Sequence, residues 1–260
     1  LESKIEIDKK DTVKMSFAIF FDDGGVLNDN NIRGPQWEVF CGEYLHSKFG
    51  GDSEVWSEAN HKVSMTLAKS FWSNSKVIFQ DFNTFYANYK SEWVKQMFEE
   101  VGRSVPPKKD RERIFDATVV YVWPKIHSAI PGIIECVKEL YSNGYILYTA
   151  SGLHSKEIKM VLEGMSIKQF FSEFFGPDLI NTRKRNPKFF ELIFKKVNIE
   201  SNKAIVIEDR PKCIENALKS GAQVIQACVT GEYPPQFPLY VENMHELPNL
   251  IENLIKTLDL

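Results

Sequence analysis

Phe17-Ala18-Ile19-Phe20-Phe21-Asp22-Asp23-Gly24-Gly25-Val26-Leu27-Asn28-Asp29 is the stretch whose reading decides the fold. An apolar run of strand length stops at a carboxylate and two glycines follow at once. This predicts a buried strand that delivers Asp22 to the mouth of a sheet, the edge where open α/β folds bind their ligands. Gly24 and Gly25 leave room for a tight turn and for the close approach of a small anion. Taken alone, the stretch reads equally well as a core strand ending in an ordinary Asp-Gly turn. The decision rests on whether the rest of the chain supplies partners for Asp22.

About a hundred residues of helical pattern separate Leu27 from the next strand-like run, far beyond the ~12–15 residues of a structureless loop, so an insertion is expected. Gly34-Pro35 is expected to open its first helix, with Trp37, Phe40, Cys41, Tyr44 and Leu45 on one face. Asp52 is placed to cap a second helix that turns Val55, Ala59, Val63, Leu67 and Phe71 inward. A third pattern aligns Phe82, Phe85, Tyr86, Tyr89, Trp93, Met97 and Val101, with Gly102 near its end. After Pro106-Pro107, a fourth uses Ile114, Phe115, Val119, Val122 and Trp123. All five tryptophans, at 37, 56, 72, 93 and 123, fall in this region, and its aromatic stripes read as bundle core.

From Ala129 helices and strands alternate. Pro131-Gly132 starts a helix that stops at Asn143-Gly144, and Tyr145 to Thr149 reads as a buried strand. Ser155 to Gly164 is helical, and Phe170, Phe171, Phe174 and Phe175 read as packing. Pro187 begins a further helix, Ala204 to Ile207 is a strand, Pro211 to Lys219 a helix, Val224 to Ala227 a strand, and Leu247 to Leu258 a closing helix. Such alternation predicts a parallel sheet covered on both faces.

A chain of 260 residues can bury a substantial core, and 43% hydrophobic with 26% charged residues are globular values. A net charge of −3 leaves no basic excess for a phosphate backbone or an acidic membrane surface, so neither nucleic acid nor membrane is expected as a partner. Cys41, Cys136, Cys213 and Cys228 are widely spaced and suggest reduced thiols in a cytoplasmic protein. Residues 1–15 hold four lysines and four acidic residues and read as a loose arm.

Three stations downstream offer chemistry. Tyr148-Thr149-Ala150-Ser151-Gly152 follows a strand directly and ends in small polar residues. Arg183-Lys184-Arg185-Asn186-Pro187 places basic charge at an expected helix start, where the helix dipole disfavours it unless an anion lies nearby. Ala204-Ile205-Val206-Ile207-Glu208-Asp209 ends a strand in two adjacent carboxylates. These repel each other unless a cation sits between them and Asp22, and such hard oxygen ligands suit Mg²⁺. Asp29-x-Asn31-x-Arg33 begins like a calcium loop but has a cation in a ligand position and Phe40 at its twelfth.

Together the four stretches resemble, in order, the four motifs of the haloacid dehalogenase superfamily, with an insertion at the usual place for a helical cap. The resemblance implies an α/β fold: a Rossmann-like three-layer core over residues 16–28 and 129–260, with an α-helical cap domain over 29–128. It implies that Asp22 is a nucleophile, that Ser151 and Lys184 hold a transferred phosphoryl group, and that Asp22, the Gly24 carbonyl, Glu208 and Asp209 bind Mg²⁺. The activity implied is hydrolysis of a small phosphorylated metabolite through an aspartyl-phosphate. One position departs from the motif. The second aspartate, which in the phosphatases protonates the leaving oxygen and activates water, is Gly24 here. Members lacking it include 2-haloacid dehalogenases and phosphonate hydrolases, and a weakly active or inactive protein that binds a phosphorylated ligand is a further expectation.

Overall fold

A computed structural model describes residues 17–72 and 81–258. The arm at 1–15 lies outside the described residues, as does the side chain of Trp72. Among the described residues, six strands form one parallel sheet: β1 (Ala18–Phe21), β2 (Ile146–Ala150), β3 (Phe171–Phe175), β4 (Ala204–Glu208), β5 (Gln223–Ala227) and β6 (Tyr240–Val241). Their order across the sheet is β3-β2-β1-β4-β5-β6, the Rossmann order. The chain turns from one half of the sheet to the other between β1 and β4, so a ligand crevice belongs at their carboxyl ends.

The two faces of the sheet are read directly from β1. Ile19 and Phe21 join the core on one side while Ala18 and Phe20 join the core on the other, and all four are buried. Period-two alternation with every position apolar is the mark of a strand covered on both faces. Along one face Phe189, Phe190, Ile193 and Phe194 of α8 (Phe189–Lys196) and Ile214 and Ala217 of α9 (Pro211–Lys219) close the core. On the other, α5 (Ile133–Ser142), α6 (Ser155–Gly164) and α10 (Leu247–Leu258) contribute Val137, Leu140, Ile158, Leu162 and Ile251.

Among the described residues, four α-helices run between β1 and α5: α1 (Asn30–Phe49), α2 (Ser53–Leu67), α3 (Phe82–Glu100) and α4 (Lys108–Val122). The chain leaves and re-enters the sheet side by side: Asn28 bridges Ala129, the Asp29 N–H donates to the Ser128 carbonyl at 2.7 Å, and Ile130 N–H donates to Leu27 at 3.0 Å. The first helix starts a turn earlier than Gly34-Pro35 suggests. The Asp29 carboxylate caps it by accepting from the Asn31 N–H at 2.8 Å, which leaves Pro35 inside the first turns. In α2, Trp56 takes the inward place expected of Val55, which is exposed. Asp52 does cap that helix.

Phe171, Phe174 and Phe175 belong to a strand, β3, and not to loop packing. β3 lies at the edge of the sheet, so Ser172 and Glu173 can face solvent and the apolar alternation that signals a strand is broken. A short helix α7 (Pro177–Ile180) follows it, and α8 begins at Phe189 rather than Pro187. All four cysteines are free thiols. No helix among the described residues is long and apolar enough to cross a membrane.

Candidate active site

Asp22 leaves β1 with its N–H still donating to the Ile207 carbonyl of β4 at 2.9 Å, so it stands at the sheet edge with the strand's own rigidity behind it. The next residues fold into a closed turn in which the Asp23 carbonyl accepts from Leu27 at 2.9 Å and Asn28 at 2.8 Å, and Gly25 donates to the Asn28 carbonyl at 2.7 Å. Gly25 has φ of 85°, and a Cβ there would meet Asp209 Oδ2 at 2.2 Å. Only glycine lets this turn lie against the carboxylate.

Ile207 pairs with Phe21, so β4 ends level with β1 and brings Glu208 and Asp209 beside Asp22. One oxygen of each of these three carboxylates lies within 4.8 Å of the others. Lys184 enters from the loop before α8. Its Nζ is 2.5 Å from Asp22 Oδ1 and 2.6 Å from Glu208 Oε2, and the side chain is almost fully buried. It therefore does not sit at a helix N-terminus, which is Lys188, and the dipole reasoning does not apply to it; the two carboxylates account for the buried charge. Glu208 Oε1 accepts the N–H groups of Asp209 at 3.1 Å and Arg210 at 3.0 Å. Both Asp209 carboxylate oxygens are buried and meet no hydrogen-bond donor among the described residues.

This crowding moves every titration in the cluster. Burial, then the neighbouring Glu208, push Asp22 up to about 7, with Lys184 pulling the other way. Burial and Asp22 push Asp209 up to about 6. Burial likewise raises Glu208. For Lys184 burial favours the neutral amine, but Asp22 and Glu208 outweigh it and hold its pKa above the ordinary value. Three carboxylates share the Lys184 ammonium, with the Arg210 guanidinium also favouring the charged Asp209, and a bound divalent cation would add further positive charge to the cluster.

Ser151 lies one residue past β2, fully buried, with its N–H donating to Phe175 at 2.9 Å and its Oγ accepting from Leu153 N–H at 2.9 Å. The hydroxyl proton remains available to a ligand in the cleft. Thr149 instead donates its hydroxyl to the Phe175 carbonyl at 3.3 Å. The cleft, of about 280 Å³, is lined by Asp22, Gly24, Ser151, Lys184 and Glu208. The fold thus brings the residues named from the sequence to one end of the sheet.

Asn30, Arg33, Arg183 and Arg210 also line this cleft, although no role in it was expected of them. Arg33 pairs with Asp23 and also donates to Asn30 Oδ1, while Asn28 Nδ2 holds the other Asp23 oxygen at 2.7 Å. Arg183 lies 4.3 Å from the centre of the Phe85 ring, and burial, with Arg185 nearby, lowers it to about 10. Arg183 and Arg210 flank recognised positions and were within reach of the sequence. Arg33 is one turn into α1 and carries no local signal beyond being out of place in the calcium-like pattern.

An aspartate at the carboxyl end of a central strand thus faces a lysine and an acidic pair. Residues 60–227 match the model of the haloacid dehalogenase-like hydrolase family, and the chain belongs to that family. The matched stretch begins after β1, so the place of Asp22 rests on the geometry above. The fold is similar to that of the HAD-hydrolase YfnB from Bacillus subtilis, solved bound to magnesium, with a TM-score of 0.65 and 14% identity over 92% of this chain and 100% of that one. It is also similar to a 2-haloacid dehalogenase from Pseudomonas syringae pv. Tomato DC3000, at TM-score 0.64 and 13% identity over 92% and 100% of the two chains. A HAD phosphatase from Thermococcus onnurineus superposes at TM-score 0.59 with 16% identity over 90% and 97%. No protein of curated function matches by sequence.

Proposed function

We propose that the protein is a Mg²⁺-dependent phosphatase of a small phosphorylated metabolite, with residues 29–128 as a cap over the site. The observation that carries this reading is Asp209, whose two buried oxygens meet no donor among the described residues and lie beside two further carboxylates. Asp22, Glu208, Asp209 and the Gly24 carbonyl would hold the ion, and this is the hard oxygen set that Mg²⁺ takes. When bound, the ion would neutralise the cluster and polarise a phosphoryl oxygen.

The chain's own residues supply the rest. The ion pair with Lys184 and the Asp23 N–H, 2.6 Å from Asp22 Oδ1, fix the plane of the Asp22 carboxylate for attack on phosphorus. Lys184 balances charge gathering on the phosphoryl oxygens, and Ser151 donates its remaining proton to one of them. Gly24 offers no acid to the leaving oxygen. Asp23 does not replace it, because Arg33 and Asn28 hold both its oxygens in a nearly buried position.

The test is a phosphate-release screen with and without Mg²⁺, run beside halide release from 2-haloacids. Metal-dependent phosphate release that is lost in Asp22→Asn supports the reading. Gly24 favours one other chemistry, dehalogenation, since a halide leaves without a proton; metal-free halide release would establish it instead. Ligand binding with neither release would identify a phospho-ligand binding protein.

A further inference from the structure

Beside the phosphoryl cleft, and sharing Phe82, Gly152 and Leu153 with its wall, lies a second chamber of about 150 Å³. Trp37, Tyr86, Tyr89, Trp93, Phe115 and Trp123 supply its aromatic walls, and Glu157 of α6 is its one carboxylate. Glu157 is nearly buried. Its Oε1 accepts from Tyr86 Oη, and its Oε2 from Trp123 Nε1 at 2.9 Å. No ion pair reaches it among the described residues. The aromatic stripes that read as bundle core thus end in an open space.

The cations around this chamber are already committed to other carboxylates. Arg33, 5.8 Å from the Trp123 ring centre, is paired with Asp23. Lys90, 5.4 Å from the Tyr86 ring, is held by Asp116 and Glu112. His154 Nδ1 accepts the Lys156 N–H to cap α6, and burial lowers its pKa, so it lies 3.5 Å from Asp178 as a neutral ring and supplies no cation. Among the described residues that line the chamber, Glu157 is an acid with no cation paired to it. Aromatic faces around a lone buried carboxylate attract a weakly hydrated organic cation, because the ring quadrupoles and the anion act in the same direction where water is scarce.

We propose that this chamber receives the methylated ammonium end of an amino-alcohol phosphomonoester whose phosphoryl group lies against Asp22. A cavity of this volume takes a group about the size of benzene, which a trimethylammonium group with its short ethyl arm matches. Burial pushes the Glu157 carboxyl up to about 7, and a cation beside it would offset that cost. The assignment of the ester rests on the phosphatase reading; the binding of the cation does not.

The experiment is a tryptophan-emission titration of the full chain with choline and with its uncharged isostere 3,3-dimethylbutanol. Choline is expected to shift the emission and to bind about tenfold or more tightly than the isostere. Glu157→Gln is expected to erase that preference. Trp37→Leu, at a half-buried position, removes one wall and is expected to weaken choline if the first variant does not fold. Equal binding of the two probes, tighter binding of the isostere, or binding of neither would overturn the proposal.

Hydrolysis of phosphocholine against 3,3-dimethylbutyl phosphate then separates the two readings. Choline binding without hydrolysis of either ester leaves the chamber standing and removes the phosphatase. Mg²⁺-dependent cleavage of aryl phosphate without choline binding does the reverse. With both in place, kcat/KM is expected to favour the cationic ester by about tenfold or more.

Discussion

Arg33 occupies the space that a side chain at residue 24 would need: a Cβ built on Gly24 would lie 2.8 Å from Arg33 Nη2 and 2.8 Å from Asn30 Oδ1. Where the family's phosphatases place a second aspartate, this cleft has a guanidinium held by Asp23 and Asn30. The backbone at Gly24 is not left-handed, so the obstacle to a larger residue is this pair of side chains and not φ. Gly24→Asp should therefore fail to restore acid–base catalysis. The new carboxylate displaces Arg33 from Asp23 and takes a cation away from the incoming anion. A steady-state comparison on an activated aryl phosphate should show kcat/KM falling by about tenfold, the effect of roughly 1.4 kcal/mol. A rise instead would mean that Arg33 swings clear and the turn accepts the aspartate.

Asp209→Asn tests the metal cluster in both directions. Without Mg²⁺ the wild type buries three carboxylates around one lysine, so removing a charge should raise Tm. With Mg²⁺ the order should reverse. An ion that binds the folded chain at about a hundred times its Kd stabilises it by about 2.7 kcal/mol, and the variant, short of one charged ligand, should lose most of that gain. Thermal melts of both proteins with EDTA and with Mg²⁺ measure the crossover. Equal Mg²⁺ responses would remove Asp209 from the metal site.

The sheet and most of the cleft were legible in the sequence because strand ends in this fold are fixed by hydrogen-bond register. Asp22, Ser151, Glu208 and Asp209 each follow an apolar run, so their convergence needs nothing beyond parallel pairing in order. Lys184 was legible from its motif, although the physical reason first offered for it, a helix dipole, was not the one the fold uses. β3 was not legible, because an edge strand exposes residues on both faces and loses its alternation. Arg33 was not legible either. Its position depends on the exit angle of α1, which the Asp29 cap and the Asn28–Ala129 bridge set together, and the bridge joins residues far apart in sequence. The aromatic chamber shares this character: helical periodicity identifies which residues face inward, but not whether the interior closes.

Glu157 gives the fold a pH dependence with a defined sign. Its carboxyl rises from an ordinary 4.5 to about 7, because burial disfavours the charge more than the Tyr86 and Trp123 hydrogen bonds favour it. The folded chain therefore holds this proton more tightly than the unfolded one between pH 4.5 and about 7, so stability falls as pH rises through that window. The full cost, at most about 3 kcal/mol for a shift of this size, is present above pH 7 and absent below 4.5. Glu157→Gln removes the titration. Chemical denaturation at pH 5 and pH 8 should show the variant gaining on the wild type at the higher pH. A constant difference would place the carboxylate in a better-solvated setting.

If Asp22 is phosphorylated as proposed, the order of events follows from which residues are free to move a proton. Lys184 is tied between Asp22 and Glu208, Asp23 is tied to Arg33 and Asn28, and Gly24 has nothing to offer. Attack by Asp22 on an ester with a good leaving group needs no acid, whereas release of phosphate from the covalent intermediate needs an activated water. A positioned base is typically worth about 10²–10⁴ in such a step. With an activated aryl phosphate and saturating Mg²⁺, stopped-flow mixing should therefore show a burst of leaving group, close to one equivalent of enzyme, ahead of slow steady turnover. Acid quenching during the steady state should trap phosphate on the protein, and Asp22→Asn should abolish both burst and label. Fast, burst-free turnover would show that some group in the cleft does activate water.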